Sequence, residues 1–87
     1  MGLDIVEMVI ELEKEFSIDL PDAELRLAES VGELFTLVAT RVGIPAGDIT
    51  YRGPIWNRYL DVIERETGLA RKRLQPTARF IRDLGLG

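Results

Sequence analysis

GLDIVEMVIELEKEFSIDLPD, residues 2–22, is the stretch on which the reading of this chain turns. Leu3, Val6, Val9, Ile10, Leu12 and Phe16 recur at spacings of three and four, which predicts a helix from the chain start to Phe16 with these residues on one broad apolar side. Asp4, Glu7, Glu11 and Glu15 recur at the same spacings on another side, with Lys14 interrupting. The expected product is an amphipathic helix with an acidic ridge beside its core face. Asp4 and Glu7 also lie near the N-terminus, where the helix dipole favours anions. Ile18-Asp19-Leu20-Pro21 then reads as extended chain.

The rest of the chain follows the same logic. Residues 22–27 make at most a short acidic turn of helix. Ser30 followed by Glu33 is a capping-box pattern, so a helix is expected from Val31, with Leu34, Phe35, Val38 and Val42 inward and Gly43 ending it. Residues 43–54, GIPAGDITYRGP, hold three glycines and two prolines and read as a connector. Pro54 suits the first turn of a further helix carrying Ile55, Trp56, Tyr59, Leu60 and Ile63, which closes at Thr67-Gly68. Trp56 reads as a packing residue rather than a ligand platform. Residues 69–87 read as a long loop with Leu74, Phe80, Ile81 and Leu84 as buried anchors and a short turn near 78–83.

Composition narrows the function. Eighty-seven residues make one domain with one modest core. There is no cysteine, hence no disulfide or thiolate site, and no histidine, the commonest general base near neutral pH. No apolar run approaches the ~20 residues of a membrane span, and no signal-peptide pattern opens the chain, so a cytoplasmic protein is expected. The net charge of −4 is uneven: residues 1–43 hold ten acids and three bases, residues 44–87 eight bases and five acids. Arg71-Lys72-Arg73 is a basic run without interleaved aromatics, which suits a solvated loop better than a nucleic-acid site. Paired acids on an outer helix face, away from an apolar cleft, do not suggest an enzyme.

The strings themselves carry more. Leu3-Asp4-x-Val6-Glu7-x-Val9, Leu12-Glu13-x-Glu15-Phe16 and Ile18-x-Leu20-Pro21-Asp22 resemble the second helix and following turn of acyl carrier proteins. Thr67-Gly68-Leu69, a polar stretch and then Phe80-Ile81-x-Asp83-Leu84-Gly85 resemble the front of that family: its first helix and the segment leading into its Asp-Ser-Leu motif. The resemblance covers nearly the whole chain in two blocks of reversed order, 2–43 and 55–87, joined by the connector 44–54. It implies an all-α, four-helix, acyl-carrier-like bundle in circularly permuted order, cut at the serine site. A permuted order in so short a chain suggests engineering. A piece spanning two consecutive carrier modules is the alternative.

The resemblance also implies a function and a defect. The family's serine carries a 4′-phosphopantetheine arm that holds fatty or polyketide acyl groups as thioesters. Here Leu3 matches the motif leucine, Gly2 stands at the serine and Met1 at the aspartate. The chain is therefore expected to be an apo form with no cofactor of its own. Glu29-Ser30-Val31 is superficially similar to the motif but matches the family's cap before its fourth helix better. Asp4, Glu7, Glu11, Glu13 and Glu15 are the expected docking residues for basic surfaces of phosphopantetheinyl transferase and acyl-processing enzymes, with Asp19, Asp22 and Glu24 extending the patch. Lys14 reverses the charge at a position often acidic in the family. A monomer is expected, a domain-swapped dimer being the alternative. The second functional reading is a pseudo-carrier, an interaction domain without any prosthetic group.

Overall fold

The computed structural model describes residues 3–86, apart from the side chains of Leu3 and Asp4. Among the described residues there are four α-helices and no strand: α1 (Leu3–Phe16), α2 (Asp22–Leu25), α3 (Val31–Arg41) and α4 (Pro54–Thr67). One 3-10 turn lies in the connector at Ala46–Asp48 and another follows α4 at Arg71–Arg73. No helix among these residues is long and apolar enough to cross a membrane.

The boundaries follow from local chemistry. At the end of α1, Ser17 adopts a left-handed φ of 53°, and the Ile18 N–H reaches back to the Glu13 carbonyl at 3.0 Å. That bond satisfies a carbonyl the helix would otherwise leave open. Gly43, with φ 98°, ends α3 in the same way through Ile44 N–H to the Ala39 carbonyl. The capping box that opens α3 is complete: Ser30 Oγ accepts from Glu33 N–H at 3.1 Å, and Glu33 Oε1 accepts from Ser30 N–H at 3.0 Å. Pro54 occupies the first turn of α4, where a missing N–H costs nothing.

α1 packs along α4, and α3 meets α4 through aromatic rings. Phe35 stands edge-on to Trp56 with centroids 4.9 Å apart, and Tyr59 lies 5.1 Å from Phe35. Tyr51, from the connector, covers Trp56 at 5.4 Å, and Ile44 and Ile49 pack on the core beside it. Trp56 is thus a packing residue, and the connector is part of the folded body.

Of the residues expected inward, Val9, Leu12, Phe16, Leu34, Phe35, Val38, Trp56, Tyr59, Leu60, Ile63, Leu74, Phe80 and Leu84 are buried. Val6 and Ile10 are not: they are 40% and 43% exposed. Ile5 and Met8 take the inward positions instead. The run from Ile5 to Ile10 has five apolar residues in six, more than one face can bury, and the line Ile5–Met8–Leu12 is turned inward. Ile81 is also outward, at 64% exposure, because the turn at 80–84 places Phe80 and Leu84 on its inner side. Leu86, which the sequence did not mark, is buried.

The long segment after α4 is held by backbone pairing with the start of α3. Val31 N–H donates to the Ala78 carbonyl at 2.9 Å, Gly32 N–H to the Pro76 carbonyl at 2.9 Å, and Phe80 N–H to the Glu29 carbonyl at 3.0 Å. Buried Tyr59 donates its hydroxyl to the Val31 carbonyl at 2.6 Å. A Cβ on Gly32 would stand 2.9 Å from the same Pro76 oxygen that its N–H binds, and 3.1 Å from the Tyr51 hydroxyl. Alanine would gain about 1 kcal/mol of helix propensity there, but the carbonyl cannot retreat without losing its hydrogen bond. Gly32→Ala should therefore destabilise by a net ~1–3 kcal/mol. Gly47→Ala, with nothing within 4 Å of the added carbon, should stay within about 0.5 kcal/mol. Urea unfolding of both variants checks this, and an unchanged Gly32→Ala midpoint would show that the pairing yields.

Burial, with a smaller contribution from Tyr51, pushes the Tyr59 hydroxyl well above the ordinary tyrosine value. A group raised in the folded state contributes stability that is present below the unfolded value, near 10, and lost as pH rises beyond it. Wild type should lose stability from about pH 10 upward. Tyr59→Phe should start about 0.5–1.5 kcal/mol lower at neutral pH and show a shallower alkaline decline. Parallel alkaline slopes for the two proteins would exclude Tyr59 as the cause.

Candidate functional site

The acidic residues of α1 do not form one free patch. Gly2 lies outside the described residues, as does the side chain of Asp4. Glu7 is exposed. Glu11 faces Lys14 at 3.6 Å, one turn further on. Glu15 is bound to Arg58 of α4 at 3.1 Å, and the same guanidinium donates to the Glu15 carbonyl and lies 4.7 Å over the Phe16 ring. Glu13 turns back on its own chain: its carboxylate accepts from Leu20 N–H at 2.9 Å, while its carbonyl accepts from Ile18. It therefore holds the turn that leads into Pro21. Glu24 pairs with Arg41, whereas Asp19 and Asp22 are exposed.

What remains open is a shallow groove of about 350 Å3 between α1 and residues 19–25. Its apolar part includes Val6, Ile10, Leu20 and Pro21, and Glu13, Asp19 and Asp22 flank it. The two residues of α1 misplaced by the sequence reading are the apolar element of this face. Lys14 stands one turn beyond Ile10 and is 70% exposed along its side chain.

A second concavity of about 340 Å3 opens beside the start of α1. Ile5, Val9, Leu25, Ala28, Leu34 and Phe80 supply its apolar lining. Arg26, Arg79, Ile81 and Arg82 complete it together with Glu29, which is paired with Arg79 at 3.1 Å. No expectation from sequence marked this cavity. Ile5 and Phe80 lie at opposite ends of the chain, and the fold brings them to one cavity.

The basic run 71–73 has structural partners. Arg71 binds Asp61 and Glu64 of α4, and Arg73 donates to the Asp83 carbonyl at 3.2 Å. Neither serine stands at the start of α1. Ser17 is at the opposite end of that helix, and Ser30 is 9% exposed with its hydroxyl in the cap. Among the described residues no group of three or more acids is placed to hold a metal ion.

The chain is similar to an acyl carrier protein of Clostridium acetobutylicum, 44% identical over 37 residues. That stretch is 42% of this chain, and the chain spans about half of the relative's length, 48%. No family profile matches the chain. No solved structure is significantly similar to it.

The acids of α1 should separate by role. Glu13→Ala removes the acceptor for Leu20 N–H and should cost about 1–2 kcal/mol. Glu7→Ala should stay within about 0.5 kcal/mol. Equal unfolding midpoints in a denaturant titration would mean that Glu13 does not organise the turn.

Proposed function

We propose that the chain is an acyl carrier protein in circularly permuted order, of the fatty-acid or polyketide type, in which Gly2 stands where the attachment serine would be. The supporting observation is that residues 79–82 and Ile5 line one cavity. In a carrier of ordinary order, as the resemblance implies, the first of these segments leads directly into the helix that holds the second. The length of the similar stretch agrees: an alignment that keeps chain order can cover only one block of a permuted chain, and 37 residues is about one block. The connector supports a monomer, because Ile44, Ile49 and Tyr51 fold it back onto the body between the blocks.

The residues present do not fit a covalently held 4′-phosphopantetheine. Its attachment needs a hydroxyl at the start of α1, and the two serines lie elsewhere. On this reading the chain is a carrier that is not loaded, and it has no catalytic residues. Its face toward partners is the groove of Val6 and Ile10 with Glu7, Glu11, Asp19 and Asp22 around it, which suits basic, partly apolar surfaces such as those of carrier-dependent enzymes. Charge of this kind steers encounter more than it holds a complex, and Lys14 weakens it. That the groove remains open favours one second reading, a pseudo-carrier that docks without a prosthetic group. A cytoplasmic location belongs to both readings.

Incubation with coenzyme A and a broad-specificity phosphopantetheinyl transferase tests the proposal. The unaltered chain should gain no mass, and native mass spectrometry should give a single chain. Replacing Gly2 by Asp-Ser restores the motif before Leu3. Modification is expected there, on the new serine alone. Modification of the unaltered chain would overturn the apo reading. A folded Asp-Ser variant that neither reacts nor binds the transferase would favour the pseudo-carrier.

A further inference from the structure

The turn that sinks Phe80 and Leu84 into the core leaves Ile81 outward, at 64% exposure, with exposed Arg79 and Arg82 on its two sides. Arg26 borders the same cavity, and Arg73 donates to the Asp83 carbonyl. The acids here, Glu29 and Asp83, are both engaged by Arg79, through its guanidinium at 3.1 Å and its N–H at 2.8 Å. Ile81 is thus an apolar knob in basic surroundings, on a chain of net charge −4. The groove on α1 has the opposite character. Val6 and Ile10, 40% and 43% exposed, line it, and exposed Asp19 and Asp22 flank it. Val9 and Leu25 line both this groove and the cavity that Ile81 borders, so knob and groove lie on two sides of one wall. Ile81 is not among the residues lining the groove of its own chain.

We propose that the Ile81 knob seats in the Val6–Ile10 groove of a second copy of this chain, with Arg82 against Asp19 and Asp22. Of the five large apolar side chains exposed among the described residues, three belong to the knob and the groove, so this one contact removes most of that surface from water. Charge sets the register. Groove against groove brings acids together and knob against knob brings arginines together, whereas knob in groove pairs guanidinium with carboxylate. Lys14, one turn beyond Ile10, opposes the arginines and limits the gain. One knob and one groove fall far short of the roughly 20–30 residues a side of a stable interface. The association is therefore weak: it forms in concentrated solution, and dilute samples hold single chains. It does not rest on the carrier reading, because neither Gly2 nor an attached arm takes part, and either outcome of the transferase experiment leaves it untouched.

The test is sedimentation equilibrium of the full chain from about 10 μM to about 1 mM, a range that spans weak association. The average mass should rise above that of one chain toward the upper end. Amide NMR over the same dilution should show shifts in fast exchange at Val6, Ile10 and Leu20 and also at Ile81 and Arg82. Salt raised to about 0.5 M should reduce the association, since exposed ion pairs are screened. Ile81→Asp and Ile10→Lys, both at exposed positions, should each weaken it roughly tenfold with unfolding midpoints close to wild type. An equal mixture of the two variants still offers one sound groove and one sound knob, and should regain association that neither shows alone. A mass that stays at one chain throughout would overturn the proposal. So would dilution shifts confined to the groove, association unchanged by Ile81→Asp, or a mixture of folded variants no better than either one. A dimer in slow exchange, as an exchange of whole blocks would give, would also overturn it. The wild-type dilution shifts decide the matter even where a variant does not fold.

Discussion

The pairing of residues 76–80 with residues 29–32 is the constraint on which the remainder of the structure rests. The segment after α4 has no long helix, and its local bonds close only separate short turns, so its position against the body must come from elsewhere. Three backbone hydrogen bonds to the start of α3 supply it. Two of them use N–H groups that the first turn of a helix leaves unsatisfied, and the third is donated by Phe80 to the Glu29 carbonyl. Val31 and Gly32 give theirs to the long segment, while the Glu33 N–H is taken by Ser30 in the capping box. Tyr59 locks the arrangement to α4 through the Val31 carbonyl, and Gly32 lets Pro76 come within bonding distance. Phe80 and Leu84 then reach the core, and the cavity beside α1 acquires its outer wall.

Helix boundaries were legible in the sequence because each has its own chemical marker. The Ser30–Glu33 pair, Gly43, Pro54 and Gly68 stand where the structure begins or ends a helix. The orientation of α1 was not legible to the same degree. Periodicity gives a face only when apolar residues occupy one, and Ile5, Val6, Met8, Val9 and Ile10 occupy more. The line chosen depends on α4, some fifty positions away. The turn at Ile81 fails for a similar reason: in a five-residue turn the inner side is set by the backbone bonds that anchor Phe80, to the Glu29 carbonyl and from the Leu86 N–H.

The acidic site was legible as composition but not as function. Counting carboxylates on α1 gives a patch, whereas the partners of each one divide it. Glu13 and Glu15 are held by Leu20 and by Arg58, Glu11 faces Lys14, and among the described side chains what is left outward is Glu7 and the misassigned Val6 and Ile10. The arginine-rimmed cavity had no signal at all in a linear reading. Arg26 lies in the acidic half, and Arg79 and Arg82 lie in the basic half. The uneven charge along the chain therefore becomes a positive mouth beside an otherwise acidic helix once the halves meet.

On the permuted reading, reordering the blocks exchanges which contacts are local rather than adding strain. Ile5 and Phe80 share a cavity although some 75 positions apart, where the other order would separate them by about eleven. Closing the longer loop costs about 1.5–2 kcal/mol more. Phe35 and Trp56, whose rings meet at 4.9 Å, gain in return. They are about 21 positions apart here and would be about 65 in the other order, a relief of about 1 kcal/mol. The two terms offset each other to within about 1 kcal/mol, and the helix interfaces are indifferent to chain order. The connector tilts the balance further, because Tyr51 lies against both rings and holds α3 to α4. On that reading, a bundle whose loops are fixed by backbone pairing and aromatic contact depends little on which of its blocks comes first in the chain.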